Sequence, residues 1–387
     1  MPSSPGHPAL APFGTTIFAT MSALATEHDA INLGQGFPDT DGPAEVLEAA
    51  VDAIRSGRNQ YPPGPGVPEL LEAVARHQDR FYGLSVDPRS EVLVTVGATE
   101  AIAATVLALV RPGDEVVTFE PYYDSYAATV ALAGGVRRTS VLRFPDFAVD
   151  EESFRAAFSQ RTRLVLLNTP HNPTGKVFTR EELELVCRLA VEHDAWVVTD
   201  EVYEHLTFDG ARHVPVATLP GMWERTLTIS SAGKTFSATG WKVGWVSGPA
   251  EAVAAVRAVK QFLTYVGSGP FQPAVATGLG LPDAVFAGMA GTLRDRRDRL
   301  VEGLTRAGLS VSLPRGGYFV VADAAPLGAV DALAFCHELP VRAGVVGVPV
   351  SVFHDDPDAA RTLVRFAFCK REEVLDEACR RLTALRG

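Results

Sequence analysis

From Glu91 to Thr199 the chain alternates short, continuous apolar runs with segments whose apolar residues recur at helical spacing. The runs 91–96, 115–119, 136–142, 164–167 and 196–199 read as strands. Segments 99–110, 125–132, 151–158 and 181–193 read as helices between them. Strands that lack polar alternation are buried on both faces, and strand–helix alternation implies a mainly parallel sheet with helices on each side. Two further strands are expected at 226–230 and 243–247, on either side of a small-residue stretch. Upstream, 13–28 and 45–56 have helical spacing, whereas 59–66 is too rich in Pro and Gly for regular structure.

After about residue 250 the pattern changes. A helix over 250–263 is followed by a long charged one over 284–307, whose Arg294–Arg299 run reads most simply as a solvated face. Shorter strands are predicted at 318–322, 345–348 and 364–367, with a last helix near 372–385. The expected organisation is an N-terminal arm contributing to a small domain (1–44), a large domain (45–281) and a small C-terminal domain (282–387). The first eight residues resemble a loose tail rather than a signal peptide, having neither a basic start nor an apolar core.

In an open parallel sheet, ligands sit beyond the carboxyl ends of the strands. Three such positions carry chemistry. Gly97-Ala-Thr-Glu100 opens a helix with small residues, which leaves backbone N–H groups free for a phosphate; an ordinary βα turn has the same look. Asn168-Thr-Pro-His-Asn172 could be a turn, or could bring an amide to a ligand oxygen. Asp200 is either a helix N-cap or a buried carboxylate aimed at a cation. The stretch 230–245, S-S-A-G-K-T-F-S-A-T-G-W-K-V-G-W, sets Lys234 and Lys242 among small and apolar residues. Both could reach out to water from a surface loop. Alternatively, a desolvated lysine has a lowered pKa and a nucleophilic neutral amine.

Composition narrows the function. The 387 residues are 47% hydrophobic with a formal net charge of −11, which argues against a nucleic-acid or anionic-membrane partner. The four cysteines form no C-x-x-C pair, so neither a zinc site nor a disulfide framework is indicated, and a cytoplasmic home fits. No apolar run is long enough to span a bilayer.

Eight segments taken in order carry a family resemblance: N-L-G-Q-G-F-P-D (32–39), N-Q-Y-P-P-G-P-G (59–66), V-T-V-G-A-T-E-A (94–101), E-P-Y-Y-D-S-Y (120–126), N-T-P-H-N-P-T-G-K (168–176), D-E-V-Y-E-H-L (200–206), S-A-G-K-T-F-S-A-T-G-W-K-V-G-W (231–245) and V-R-F-A-F-C-K (364–370). Spanning nearly the whole chain, they resemble the fold-type-I, pyridoxal-5′-phosphate-dependent aminotransferases of class I/II, and most of all the N-succinyldiaminopimelate and kynurenine/glutamine aminotransferases. The resemblance implies an α/β fold, a large domain with a mainly parallel sheet flanked by helices plus a smaller α/β domain. It implies Lys234 as the Schiff-base lysine and Asp200 as partner of the ring nitrogen. Tyr203 and Asn172 would bond the ring's phenolic oxygen, and Tyr123 would stack on the ring. Phosphate would be held by the Ala98 and Thr99 amides, Ser231 and Lys242. Tyr61 matches a tyrosine that family members donate from a second subunit, implying a homodimer with shared sites. Arg365, with Asn172, would bind the substrate α-carboxylate.

By position, Phe18, Gly36, Tyr61, Tyr126, Ser268 and Phe353 are the expected side-chain pocket. Phe18 and Ser268 stand where kynurenine aminotransferases carry tryptophan and histidine, whereas 267–273 looks more like the succinyldiaminopimelate type. That substrate calls for a basic residue that the sequence does not locate. Three readings therefore stand. One is an aminotransferase joining an L-amino acid (N-succinyl-LL-2,6-diaminopimelate, or a medium apolar, aromatic or sulfur amino acid) to a 2-oxo acid such as 2-oxoglutarate. The second is a kynurenine aminotransferase or cysteine-S-conjugate β-lyase. The third is a cofactor-sensing regulator domain, disfavoured by the acidic charge and the short stretch ahead of the match.

Overall fold

The computed structural model describes residues 6–386. Residues 1–5 of the expected tail, and Gly387, lie outside the described residues. The seven predicted strands of the first part form one sheet in the order 92–96, 243–247, 226–231, 196–200, 162–168, 115–120, 136–141. All neighbours pair in parallel except Val243–Ser247, which runs antiparallel to both of its own. Strands 115–120 and 226–231 are buried along their whole length, although polar residues (Glu115, Thr118 and Glu120 in one, Thr226, Thr228, Ser230 and Ser231 in the other) interrupt their apolar ones. Helices cover both faces; Gly97–Leu109 packs on Ala250–Lys260 and on Asp124–Leu132.

A second sheet is antiparallel, in the order 348–349, 363–367, 319–323, 310–312. Ile31–Asn32 pairs in parallel with Val345–Val346, so the N-terminal segment joins the C-terminal part. The strand expected over 345–348 is thus two short ones, each serving a different sheet. Glu120, ending a strand of the large sheet, accepts from the Asp355 backbone N–H and bonds His354 Nδ1, tying the two parts together.

The sequence reading missed three helices: Pro68–Tyr82, Phe271–Leu279 and Ala332–Ala343. It also misread one face. Arg297 does not point to water; it is 2% exposed, and its guanidinium holds Asp209 and Asp298 and donates to the Pro314 carbonyl. No single helix among the described residues is long and apolar enough to cross a membrane.

Candidate active site

The strand ends converge on a cavity of about 360 Å3 lined by residues of both sheets. Lys234 lies in the one-turn helix Ala232–Thr235, immediately after the strand ending at Ser231. Its ammonium is half-buried and donates to the Gly36 carbonyl at 3.2 Å. Burial lowers its pKa, outweighing the nearby Cys369 and Asp200, which pull it upward. The amine is thereby biased toward its neutral, nucleophilic form, and the surface-loop alternative does not describe Lys234.

Asp200 closes the Trp196–Asp200 strand and is buried. No helix follows it, so it is not an N-cap. Burial raises its pKa to about 6, opposed by a hydrogen bond from the Tyr126 hydroxyl at 2.6 Å. An ionised carboxylate here calls for a cation to face it.

At the opposite end of the cavity, the Gly97–Leu109 helix begins with Gly97 at φ +72°. A Cβ on Gly97 would stand 3.2 Å from Lys242 Nζ, and one on Gly244 would collide with the Gly97 carbonyl carbon at 2.6 Å. Small residues therefore let a helix start, a second strand and an ammonium meet in one place. Free N–H groups and Lys242 make this an anion cradle. Ser231, at the edge of the same cavity, keeps an unbonded hydroxyl.

Arg365 enters from the second sheet. It is 1% exposed, donates to Asn172 Oδ1 at 3.0 Å and to the Gly34 carbonyl at 2.8 Å, and its Nε has no partner. The guanidinium lies 4.0 Å from the centre of the Phe319 ring, with Phe18 and Phe353 at 5.1 and 5.3 Å. Burial pulls its pKa down to about 10, leaving it charged at neutral pH. A carboxylate in the cavity would meet a cation already fixed in direction by those rings.

Tyr123, Tyr203 and Asn172 complete the lining. Among the described residues the Tyr203 hydroxyl and the Asn172 side-chain N–H2 have no partner, so both remain available to a ligand. A Cβ on Gly36 would lie 2.1 Å from the Phe319 ring, so no side chain fits there and its carbonyl is held toward Lys234.

Four expected residues sit elsewhere. Tyr126 is buried against Asp200 and is not part of the cavity wall. Ser268 donates to the Trp241 and Lys242 carbonyls. Phe353 packs behind Phe18, with ring centroids 5.9 Å apart. Tyr61 is 83% exposed, with its ring against Tyr265. Sequence reasoning missed Asn168, whose side chain accepts from the Asn172 N–H at 2.6 Å and donates to the Asp200 carbonyl at 2.8 Å. Its place at a strand end was the available signal.

A mainly parallel sheet with a buried lysine, a carboxylate and an anion cradle at its strand ends defines a fold-type-I pyridoxal-phosphate enzyme. The chain belongs to the family described as aminotransferase class I and II, whose profile matches residues 28–382. It is similar to the solved N-succinyldiaminopimelate aminotransferase of Mycobacterium tuberculosis, with a TM-score of 0.96 and 55% identity, covering 98% of this chain and 100% of that one. It is 43% identical to the methionine aminotransferase of Escherichia coli K12 over 96% of both chains. It is 38% identical to kynurenine–oxoglutarate transaminase 3 of Mus musculus, over 94% of this chain and 86% of the relative.

The enzyme is therefore a pyridoxal-phosphate-dependent aminotransferase acting on an amino acid and a 2-oxo acid. The cavity fits that cofactor. An anion cradle lies at one end and a carboxylate for a ring cation at the other. Between them are a neutral-leaning amine and two unpartnered polar groups, Tyr203 and Asn172.

Proposed function

We propose that Lys234, Asp200, Tyr203, Asn172, Ser231, Lys242 and the Ala98 and Thr99 amides hold pyridoxal phosphate, with Tyr123 against its ring, and that Arg365 binds the substrate α-carboxylate. When bound, the cofactor supplies an electron-withdrawing ring that makes the α-proton of an attached amino acid acidic. Asp200 keeps a proton on the ring nitrogen. Arg365 and Asn172 fix the α-carboxylate and so point the α-hydrogen at Lys234 Nζ. Lys234 would take that proton from the α-carbon and pass it to the cofactor's carbon in one half-reaction, and would carry a proton the opposite way, to the carbon of the incoming 2-oxo acid, in the other. Because donor and acceptor use the same Arg365 site in turn, the first 2-oxo acid leaves before the second binds, with the amino group retained on the enzyme, and the kinetics are ping-pong.

For the donor, the observation that carries the reading is the charge of the lining. Its cations are Lys234, Lys242 and Arg365, each already engaged as above, while the wall over the substrate is Phe18, Gln35 and Phe37. That wall suits a medium apolar, sulfur or aromatic amino acid as donor. The 55% identity to an N-succinyldiaminopimelate aminotransferase favours a second reading, that compound as donor. Titrating the cofactor-loaded protein with glutamate, methionine, phenylalanine, kynurenine and N-succinyldiaminopimelate, followed by visible absorbance, separates them. Bleaching by methionine or phenylalanine at the lowest concentration is expected; bleaching by N-succinyldiaminopimelate alone selects the second reading. Pyruvate and ammonia released from a cysteine conjugate would reveal β-lyase chemistry.

The same reading makes the enzyme a homodimer with shared sites, and the cytoplasm its compartment, in keeping with four free thiols. Tyr61, Phe262, Leu263 and Tyr265 are 83%, 88%, 48% and 45% exposed, a patch that a second copy would cover. Sedimentation of the purified protein should give twice the 41.3 kDa chain mass. Tyr61→Phe should keep that mass while weakening cofactor retention about tenfold, the loss of one hydrogen bond to a charged group. A monomer that retains cofactor would refute the shared site.

A further inference from the structure

A second cavity of about 410 Å3 lies beside the first, and Lys234 is the one residue common to both linings. One wall is apolar, built from Leu206, Val285, Met289 and Leu293. Besides Lys234, the polar lining contains two opposite charges, Arg296 and Asp41. Neither forms an ion pair, although the residues around them do. Arg294 pairs with Asp295, Arg297 with Asp209 and Asp298, Arg299 with Glu372 and Asp376, and Asp39 with Arg371. Arg296 Nε is buried without a hydrogen bond, a state that costs free energy until an acceptor reaches it. The Ser237 and Thr40 hydroxyls on the same lining also lack partners.

An unpaired cation and an unpaired anion facing one cavity, beside an apolar wall, match a zwitterion with an apolar substituent. We propose that this cavity binds a free α-amino acid, its carboxylate on Arg296, its ammonium on Asp41 and its apolar side chain on Leu206, Val285, Met289 and Leu293. A ligand there fills space against Lys234 and against Tyr318, whose hydroxyl donates to the Lys234 carbonyl. Occupancy restrains the segment that carries the amine, so the site links amino-acid abundance to turnover. It does not depend on which donor the enzyme transaminates.

The test uses cofactor-loaded enzyme and L-α-methylleucine, which has no α-hydrogen and cannot be transaminated. Calorimetry should count two molecules per chain, whereas the visible absorbance change should account for one. Arg296→Gln and Asp41→Asn should each weaken the spectrally silent site at least tenfold while the absorbance titration still counts one molecule per chain, and Arg296→Lys should restore the silent site. The absorbance titration also reports that each variant is folded. If Arg296→Gln does not fold, Asp41→Asn, at an exposed loop position, carries the test alone. One molecule per chain in the wild type, or a silent site untouched by the Asp41 and Arg296 changes, overturns the proposal.

Discussion

Lys234→Ala abolishes transamination, lowering the rate of each half-reaction by at least about 10^4-fold, the upper range for loss of a positioned acid–base group. No second amine can stand in. Lys242 is the other lysine on the lining, and it lies against Gly97 at the anion cradle. The decisive readout is the single-turnover absorbance change on adding donor to cofactor-loaded protein. The fold should survive, since the substitution removes a half-buried ammonium and its one hydrogen bond, to Gly36. Near wild-type turnover would remove Lys234 from its proposed role.

Asp200→Ala has the next largest effect, roughly a thousandfold in kcat, equivalent to about 4 kcal/mol and within the cost of truncating one partner of a buried charge pair. The ring nitrogen loses the group that keeps its proton. A change confined to KM, as a rise with kcat unaltered, would instead mark Asp200 as a binding residue. The cofactor-free protein offers an independent check through pH. Asp200 titrates at about 6 when folded and at about 4 when unfolded. Between those values the folded chain holds one more proton, so this residue's contribution is fully present below about pH 4 and is lost as pH rises through 6. Urea midpoints of the cofactor-free wild type should fall across that window relative to those of Asp200→Asn.

The large sheet was legible because burial on both faces forces unbroken apolar runs, and because the chemistry collects where those runs end. Those two facts marked Asp200, Asn172 and the Gly97 turn as candidates, with an ordinary structural reading left open for each, and their roles, like that of Lys234, came from the order of the motifs. Pro68–Tyr82 was hidden because its buried stripe passes through His77 and Gln78, polar residues at core positions. Its signals were Pro68 at the first turn and Gly83 in the left-handed cap. Phe271–Leu279 contains Pro273, in the first turn, where the helix bears it, and Ala332–Ala343 contains Pro340 inside the helix, a residue that argues against a helix there. Arg297 misled because charge spacing cannot tell a solvated arginine from one turned inward toward Asp209. Tyr126 lay in a recognisable motif, but only folding shows that its hydroxyl goes to Asp200 and not to the cavity.

Arg365 stands on the four-stranded antiparallel sheet, whereas Asp200 ends a strand of the seven-stranded one and Lys234 lies in the short helix that follows another of its strands. A substrate held by its carboxylate at Arg365 and by its nitrogen near Lys234 is therefore a strut between the two halves of the molecule. Two reactants of different size, alternating in every cycle, share that span. The enzyme can measure both with the same ruler because each carries its carboxylate at the same distance from the atom that gains or loses nitrogen.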